Sequence, residues 1–314
     1  MKKVSFLIPV HNEEKIIGDT LDHIKEYFSR YPFVEVIVGD DGSTDKSAEI
    51  IKKYKFVRYV KLKNRGGKPA VLASLFPLAK GEIIIVHDAD WKLVYEGDAF
   101  REMLSWFDDN KLGGIADSFS GVFKKERVMK NDSLGFLADA WSAEFRTEYQ
   151  KKFFTKREHG VLYVDLKKMK FPFFMNIFRK NLVDEATTLG DDIERTLQIL
   201  KNGYQIRVLE DPKYPHIEII EQKISLKDMF KQKIRTNFAR KQVKEGYHYD
   251  PPVLRFFVPY WGYVLFNLYR VRRMRAVLAL FLFQFIMFFA WVKSLFMSTH
   301  KISTKEAWQM RLKR

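Results

Sequence analysis

Apolar and polar positions alternate between two periods along the first half of this chain. Val4 to Val10 is a continuous apolar run broken only by Ser5 and Pro9, and reads as a buried strand ending in the polar His11-Asn12-Glu13-Glu14. Ile17, Leu21, Ile24 and Phe28 then recur at helical spacing. A second strand, Val34 to Val38, runs into Gly39-Asp40-Asp41-Gly42-Ser43-Thr44-Asp45. Asn64-Arg65-Gly66-Gly67-Lys68-Pro69-Ala70 is a glycine turn in front of another helical pattern, and Ile83 to Val86 is a third buried strand, ending in His87-Asp88-Ala89-Asp90. Strands alternating with helices predict a parallel sheet. Strand ends in such a sheet open onto the ligand crevice, so the polar loops after each strand are the candidate site.

Two carboxylates one residue apart at a strand end suit a hard divalent cation, Mg²⁺ or Mn²⁺, shared with substrate phosphates. Asp-x-Asp alone also reads as a solvated turn. Asp40-Asp41-Gly42-Ser43 equally makes an Asx-type turn, and Lys68 alone reads as a surface lysine. Farther on, Gly190-Asp191-Asp192-Ile193-Glu194-Arg195 opens a helical pattern with Ile193, Leu197 and Leu200 on one face. Carboxylates there favour a helix dipole whatever the chemistry.

The ordered set Pro9...Asn12-Glu13, Asp40-Asp41-Gly42-Ser43-Thr44-Asp45, Asn64...Gly67-Lys68 and Asp88-Ala89-Asp90 resembles glycosyltransferase family 2 over roughly residues 1–240. The resemblance implies an α/β fold of GT-A type, a Rossmann-like nucleotide-sugar-binding domain with a mostly parallel sheet. It implies residues 1–115 as the nucleotide-sugar half and 116–240 as the acceptor and catalytic half, leaving 241–314 as a membrane-associated helical region. By position, Pro9, Asn12 and Glu13 would line base and ribose, and Asp41 would accept from a base N–H. Lys68 would lie near the diphosphate, and Asp88 would contact ribose or metal-bound water. Asp90 would be the direct metal ligand, and Asp192 the general base that deprotonates an acceptor hydroxyl. Gln232 and Arg235 match a Gln-x-x-Arg-Trp motif in which Thr236 replaces the Trp. That loss favours single transfer over processive polymer synthesis, and Arg235 would clamp the leaving diphosphate. His216 stands where some such enzymes place a further metal ligand. His87 should point away from the site, since strand side chains alternate. Phe171, Phe173, Phe174, Phe178 and Trp141 are candidate lipid contacts that equally suit a core.

The chain has 314 residues, a net charge of +16 and no cysteine, which excludes disulfides and thiolate chemistry. Such charge seeks polyanions. Arg270, Arg272, Arg273 and Arg275 directly precede the apolar run Ala276 to Val292, whose 17 residues span about 26 Å as a helix against a ~30 Å hydrocarbon core. Basic clusters beside an apolar run predict a membrane surface and no nucleic acid. Val253–Tyr269 reads as interfacial, and 276–292 as one crossing or a dipping helix. The expectation is therefore a metal-dependent inverting glycosyltransferase at the cell membrane, its catalytic domain cytoplasmic. It would use a nucleotide-diphosphate sugar, UDP-linked by preference, and a hydroxyl on a lipid-linked or glycan acceptor. A polyprenyl-phosphate acceptor is the alternative within the class, and a catalytically silent nucleotide-binding membrane adaptor the alternative outside it.

Overall fold

The structure is a computed structural model that describes residues 2–117, 133–138, 154–158, 161–164, 175–184, 188–209, 211–219, 224–248 and 274–297. Its centre is a nine-stranded sheet. In chain order the strands are β1 (Val4–Val10), β2 (Val34–Asp40), β3 (Val57–Lys61), β4 (Ile83–Val86), β6 (Leu112–Asp117), β7 (Phe154–Glu158), β8 (Val161–Val164), β9 (Met175–Arg179) and β10 (Gln205–Leu209). They lie side by side in the order β3-β2-β1-β4-β9-β6-β10-β8-β7. β1 pairs in parallel with β2 and β4, β2 with β3, and β6 with β10, whereas β9 is antiparallel to both its neighbours and β8 to both of its own. All strands except β8 and β9 thus share one direction, the mostly parallel α/β sheet that the alternation predicts.

The polar-apolar pattern explains why. Every residue of β1 is buried, because helices cover both faces of the sheet. Phe6, Ile8 and Val10 join one core with Ile17, Leu21, Ile24 and Phe28 of α1 (Ile17–Phe28), while Leu7 joins the other with Val71, Leu72 and Leu75 of α3 (Lys68–Leu75). Ile83 and Ile85 turn to the first core, Ile84 and Val86 to the second. Between these helices in the chain lies the short α2 (Ser47–Ile51), and α4 (Ala99–Ser105) follows the strand β5 (Trp91–Val94).

A two-stranded ribbon of β5 (Trp91–Val94) and β11 (His216–Ile219) flanks the sheet. Beyond a short helical stretch at 134–138, the later helices are α5 (Asp191–Lys201), α6 (Leu226–Tyr247) and α7 (Met274–Leu295). α6 runs unbroken across residue 240, so the expected domain limit falls inside a helix. α7 covers the apolar run 276–292, and Val277–Leu295 is long and apolar enough to cross a membrane by length and composition. Residues 253–269, and Trp141, Phe171, Phe173 and Phe174, lie outside the described residues. Phe178 is a correction to the candidate lipid contacts: it is fully buried in the second core and stacks on Phe76 at 6.4 Å.

Candidate active site

Parallel β1, β2 and β4 end on the same edge of the sheet, so the loops after Val10, Asp40 and Val86 meet there. The first two are laced together. Asn12 adopts a left-handed backbone (φ 55°), its N–H donates to Ser43 Oγ at 3.0 Å, and its Oδ1 accepts from Thr44 N at 2.8 Å. Glu13 N donates to Ser47 Oγ and Glu14 N to Asp45. Pro9, in β1, is buried opposite Gly39.

Asp40 and Asp41 are both fully buried. Asp40 accepts from Ser43 N and from the Tyr59 hydroxyl, making the Asx-type turn that such a sequence favours. Asp41 accepts from Gly66 N at 2.7 Å and Gly67 N at 3.0 Å, with Arg65 Nε at 3.8 Å. Both its carboxylate oxygens therefore hold the glycine loop. Gly67, at φ 85°, begins α3 in a conformation that side chains resist, and a Cβ on Gly66 would come 2.5 Å from that of Ala70. The loop is built so that Lys68 starts a helix at the crevice.

At the end of β4 the chain turns sharply. Trp91 N donates to the Asp88 carbonyl at 3.1 Å, and Thr20 of α1 ties down the Ala89 carbonyl. His87 points away, as alternation predicts: it is buried beside Phe6 and Trp91, and burial lowers its pKa to about 4. Asp88 keeps about a fifth of its side chain in solvent (20%), whereas Asp90 is buried.

Three separate motifs converge on one ammonium. Lys68 Nζ lies 3.0 Å from Asp88 Oδ1 and 3.6 Å from Asp191 Oδ2. Asp191 also receives Arg195 Nη1 at 2.5 Å, one turn along α5, and Arg195 sits over the Phe178 ring. Burial works against the Lys68 charge, but Asp191 and then Asp88 outweigh it and raise its pKa. Burial likewise opposes ionisation of Asp191, yet Lys68 and Arg195 hold its carboxyl below the ordinary range. Asp192, next in sequence, is in the opposite condition. Burial, and then the Asp191 charge beside it, push its pKa up to about 6. The two adjacent carboxyls are thus driven to opposite sides of the ordinary value by their neighbours. Asp191 and Arg195 carry no assigned role in the sequence reading. The Gly-Asp-Asp string flags both aspartates, but only the fold shows which one meets Lys68.

The inward face of α5 differs from expectation. Ile193, Leu197 and Leu200 are half-buried, while Asp191, Glu194, Arg195, Thr196 and Ile199 are buried. Glu194 accepts from Thr188 N and Oγ1 at 2.9 Å and from the Tyr247 hydroxyl at 2.7 Å, bolting α5 to α6. Leu189 N donates to Gln242 Oε1, and Val243 approaches Gly190 so closely that a Cβ there would lie 3.1 Å from it. On α6, Gln232, Arg235, Ala239 and Gln242 fall at i, i+3, i+7 and i+10, one stripe. The stripe reaches the start of α5 through Ala239 and Gln242, and Gln232 and Arg235 continue it toward the N-terminus of α6.

His216 is not brought to Asp90. It stands opposite Val94 in the β5–β11 ladder, while Trp91, the neighbour of Asp90, stands opposite Ile219. That register separates the two by roughly 13 Å at ~3.3 Å per residue. His216 Nδ1 instead contacts the Tyr214 carbonyl at 2.9 Å, and Nε2 faces Glu218 at 3.9 Å. Among the described residues no group of three or more His, Asp or Glu side chains could hold a metal by itself. Asp88 and Asp90 fit a half-site of hard oxygen donors that substrate phosphates would complete.

A family model described as Glycosyl transferase family 2 matches residues 5–184, more than half of the chain. This chain belongs to glycosyltransferase family 2. It is 26% identical over 220 residues to a probable glycosyltransferase, YdaM, of Bacillus subtilis, covering 66% of this chain and 49% of that protein. It is 28% identical over 151 residues to a beta-monoglucosyldiacylglycerol synthase of Nostoc, covering 46% of this chain and 32% of that one. The chain thus spans half or less of the curated relatives it matches. Among solved structures it is similar in fold to a mannosyltransferase of Pyrobaculum calidifontis in complex with GDP-Man and Mn²⁺. That likeness has a TM-score of 0.59 at 18% identity and covers 94% of this chain and 87% of that one. The GT-A type of α/β fold follows.

Proposed function

We propose that this glycosyltransferase is a membrane-associated, metal-dependent, inverting enzyme that moves one sugar from a nucleotide-diphosphate donor, UDP-linked by preference, to a hydroxyl of a lipid-linked or glycan acceptor. The observation that carries the reading is the Lys68 ammonium held between Asp88 and Asp191, which joins the donor loops to the start of α5.

In this reading Pro9, Asn12 and Glu13 line the nucleoside pocket, and Asp41 acts on it indirectly by fixing the Gly66-Gly67 loop. Lys68 and Arg235 face the diphosphate, with Gln232 beside Arg235. Asp90 would hold Mg²⁺ or Mn²⁺, with Asp88 toward the ribose or a metal-bound water; the metal, when bound, would neutralise the charge of the leaving nucleoside diphosphate. Asp192 accepts the proton of the attacking hydroxyl. A pKa of about 6 leaves it ionised at neutral pH yet basic enough to take part. Asp191, ion-paired on two sides, is a poor base and a good anchor. A base matters for a hydroxyl and little for a phosphate acceptor, which favours the hydroxyl. The unbroken α6 favours a catalytic unit that extends to its end; in this reading the catalytic face is in the cytoplasm, where nucleotide sugars are available. Of the sequence expectations, His216 as a ligand finds no support.

The test is donor turnover. The 314-residue chain in detergent, with Mn²⁺ or Mg²⁺, is offered UDP- and GDP-sugars together with lipid and oligosaccharide acceptors. Nucleotide release that vanishes with EDTA and with Asp90→Ala is the expected result. Binding without turnover on any acceptor, water included, would move the chain to the silent-adaptor reading.

A further inference from the structure

α7 is built inside out. At about 100° per residue, Ala279, Phe283, Ala290 and Ser294 share one arc, and all four are buried. Gln284 is buried too, although at that spacing it falls about 20° from Leu295, on the border of the other arc. Leu278, Phe285, Phe288, Phe289 and Leu295 occupy the opposite arc, and all are exposed, Phe285 by 56% and Phe289 by 57%. A helix on a water-facing surface does the reverse, hiding its aromatic side and showing its polar one. The buried side is mostly small or polar, with Phe283 as its large residue against α6, and the large apolar side chains of the other arc meet whatever lies outside.

The inward contact decides how the helix can lie. α6 and α7 pack along one another more extensively than any other two helices described. Lys233 Nζ sits over the Phe283 ring at 5.2 Å, Lys293 Nζ over Phe230 at 5.9 Å, and Lys241 Nζ donates to the Met297 carbonyl at 3.0 Å. Another side of α6 carries Lys227, Lys231 and Glu245, all exposed. If α7 crossed a bilayer upright, its partner would be drawn into hydrocarbon with those charges, which is costly.

The surroundings select the occupant. The outward arc contains no polar side chain that would fix the register of a protein partner. Along the sequence its flanks are basic: Arg270, Arg272 and Arg273 come before the helix, Arg275 is in its first turn and Lys301 comes after it, while Lys293 is exposed beside the arc. Two copies apposed on this face would bring those cations together. An anionic headgroup layer would complement them, at about 1 kcal/mol per basic residue near such a surface.

We infer that α7 lies in the plane of an anionic membrane, its Phe285-Phe288-Phe289 face sunk to the acyl boundary and α6 backing it on the aqueous side. The helix is a flat monotopic foot and does not span. This deepens the membrane-associated part of the proposed function and is independent of its transfer chemistry.

Because the chain has no cysteine, single-cysteine variants report position without background. Leu278→Cys, Phe285→Cys and Phe296→Cys, all at exposed sites, are labelled with an environment-sensitive fluorophore. Each is mixed as the full chain with vesicles of phosphatidylcholine, with or without phosphatidylglycerol. Quenchers are placed near the headgroup or at mid-chain. In-plane docking predicts partition that favours the anionic vesicles and falls with salt, with all three sites quenched better by the shallow probe. Phe289→Asp should weaken that partition about tenfold by placing a charge on the docked face, while nucleotide binding in solution stays unchanged.

A deep Phe285 with Leu278 and Phe296 at opposite surfaces would overturn the inference in favour of a crossing. Failure to partition into either vesicle, with a dimer in light scattering that Phe289→Asp dissociates, would overturn it in favour of a second copy. Donor turnover with Asp192→Asn as control is measured without vesicles, so failure of the transfer reading shows separately.

Discussion

Lys68 and Asp191 meet at 3.6 Å, joining the glycine loop after β3 to the first turn of α5. Asp88 completes the bridge at 3.0 Å. Neither aspartate would tolerate the other close by without the ammonium between them, so the lysine serves the fold before any donor arrives.

Lys68→Met should therefore hurt twice. It leaves two carboxylates facing each other and lowers stability by about 2–4 kcal/mol, near the low end for a broken buried pair because about a fifth of each of Lys68 and Asp88 stays wet. It should also weaken nucleotide binding, whereas Lys68→Arg, which keeps the charge, recovers most of the stability. Thermal melts and nucleotide titration on the three proteins check both effects. A Lys68→Met protein that melts like the parent would mean that the ion pairs contribute nothing.

Asp192→Asn should inactivate the enzyme and stabilise it. Losing a general base costs roughly 10²–10⁴ in turnover. The folded-state pKa of about 6 lies above the ordinary value of 3.8, so folding favours the protonated acid. Ionisation then costs stability, progressively as pH rises from about 4 to 6, and fully above that. Asn does not ionise. The variant should thus melt higher at neutral pH, by an amount on the order of 1–3 kcal/mol, and match the parent below pH 4. Equal melting at both pH values would remove the reason to regard this carboxyl as strained.

Asp41 separates two roles that the sequence leaves joined. If it fixes the Gly66-Gly67 loop, Asp41→Ala takes the carboxylate from the buried Gly67 N–H and the half-buried Gly66 N–H and costs about 1–3 kcal/mol. Nucleotide affinity should fall alike for UDP and GDP. A direct contact with the base would instead leave the melting temperature in place and change the preference between nucleotides. Calorimetric melts and paired titrations distinguish the two.

What was legible in the chain follows from where each signal resides. β1, β2 and β4 are legible because strands buried on both faces are apolar throughout, and α1 because its inward stripe is Ile17, Leu21, Ile24 and Phe28. The polar ends of those strands mark the crevice, since a parallel sheet opens there. The inward face of α5 was not legible: hydrophobic periodicity points to Ile193, Leu197 and Leu200, but Glu194 and Arg195 go inside because Tyr247, Thr188 and Asp191 satisfy them. His216 illustrates a different limit. Its distance from Asp90 depends on a ladder register between segments far apart in the chain. β9, antiparallel between β4 and β6, is likewise a matter of long-range pairing that no local pattern reports.

The division of labour between Asp191 and Asp192 yields the last prediction. Asp192 is raised to about 6 by burial and then by the neighbouring Asp191 charge, while Arg195 and Lys68 pull the other way. Asp191→Asn removes the carboxylate that raises it and leaves both cations in place. Both changes favour ionised Asp192, so its pKa should fall. In the parent, kcat/KM should rise with pH through about 6 and level off above, because the base must be ionised to accept a proton. In Asp191→Asn the same rise should move to lower pH, and the plateau should drop because a weaker base accepts the proton less readily. A purely structural role for Asp191 would lower the plateau without moving the rise. An Arg195→Lys variant, which keeps a cation beside Asp191, should retain the parent profile. A rise that stays near pH 6 in Asp191→Asn would show that the neighbouring charge is not what tunes the base.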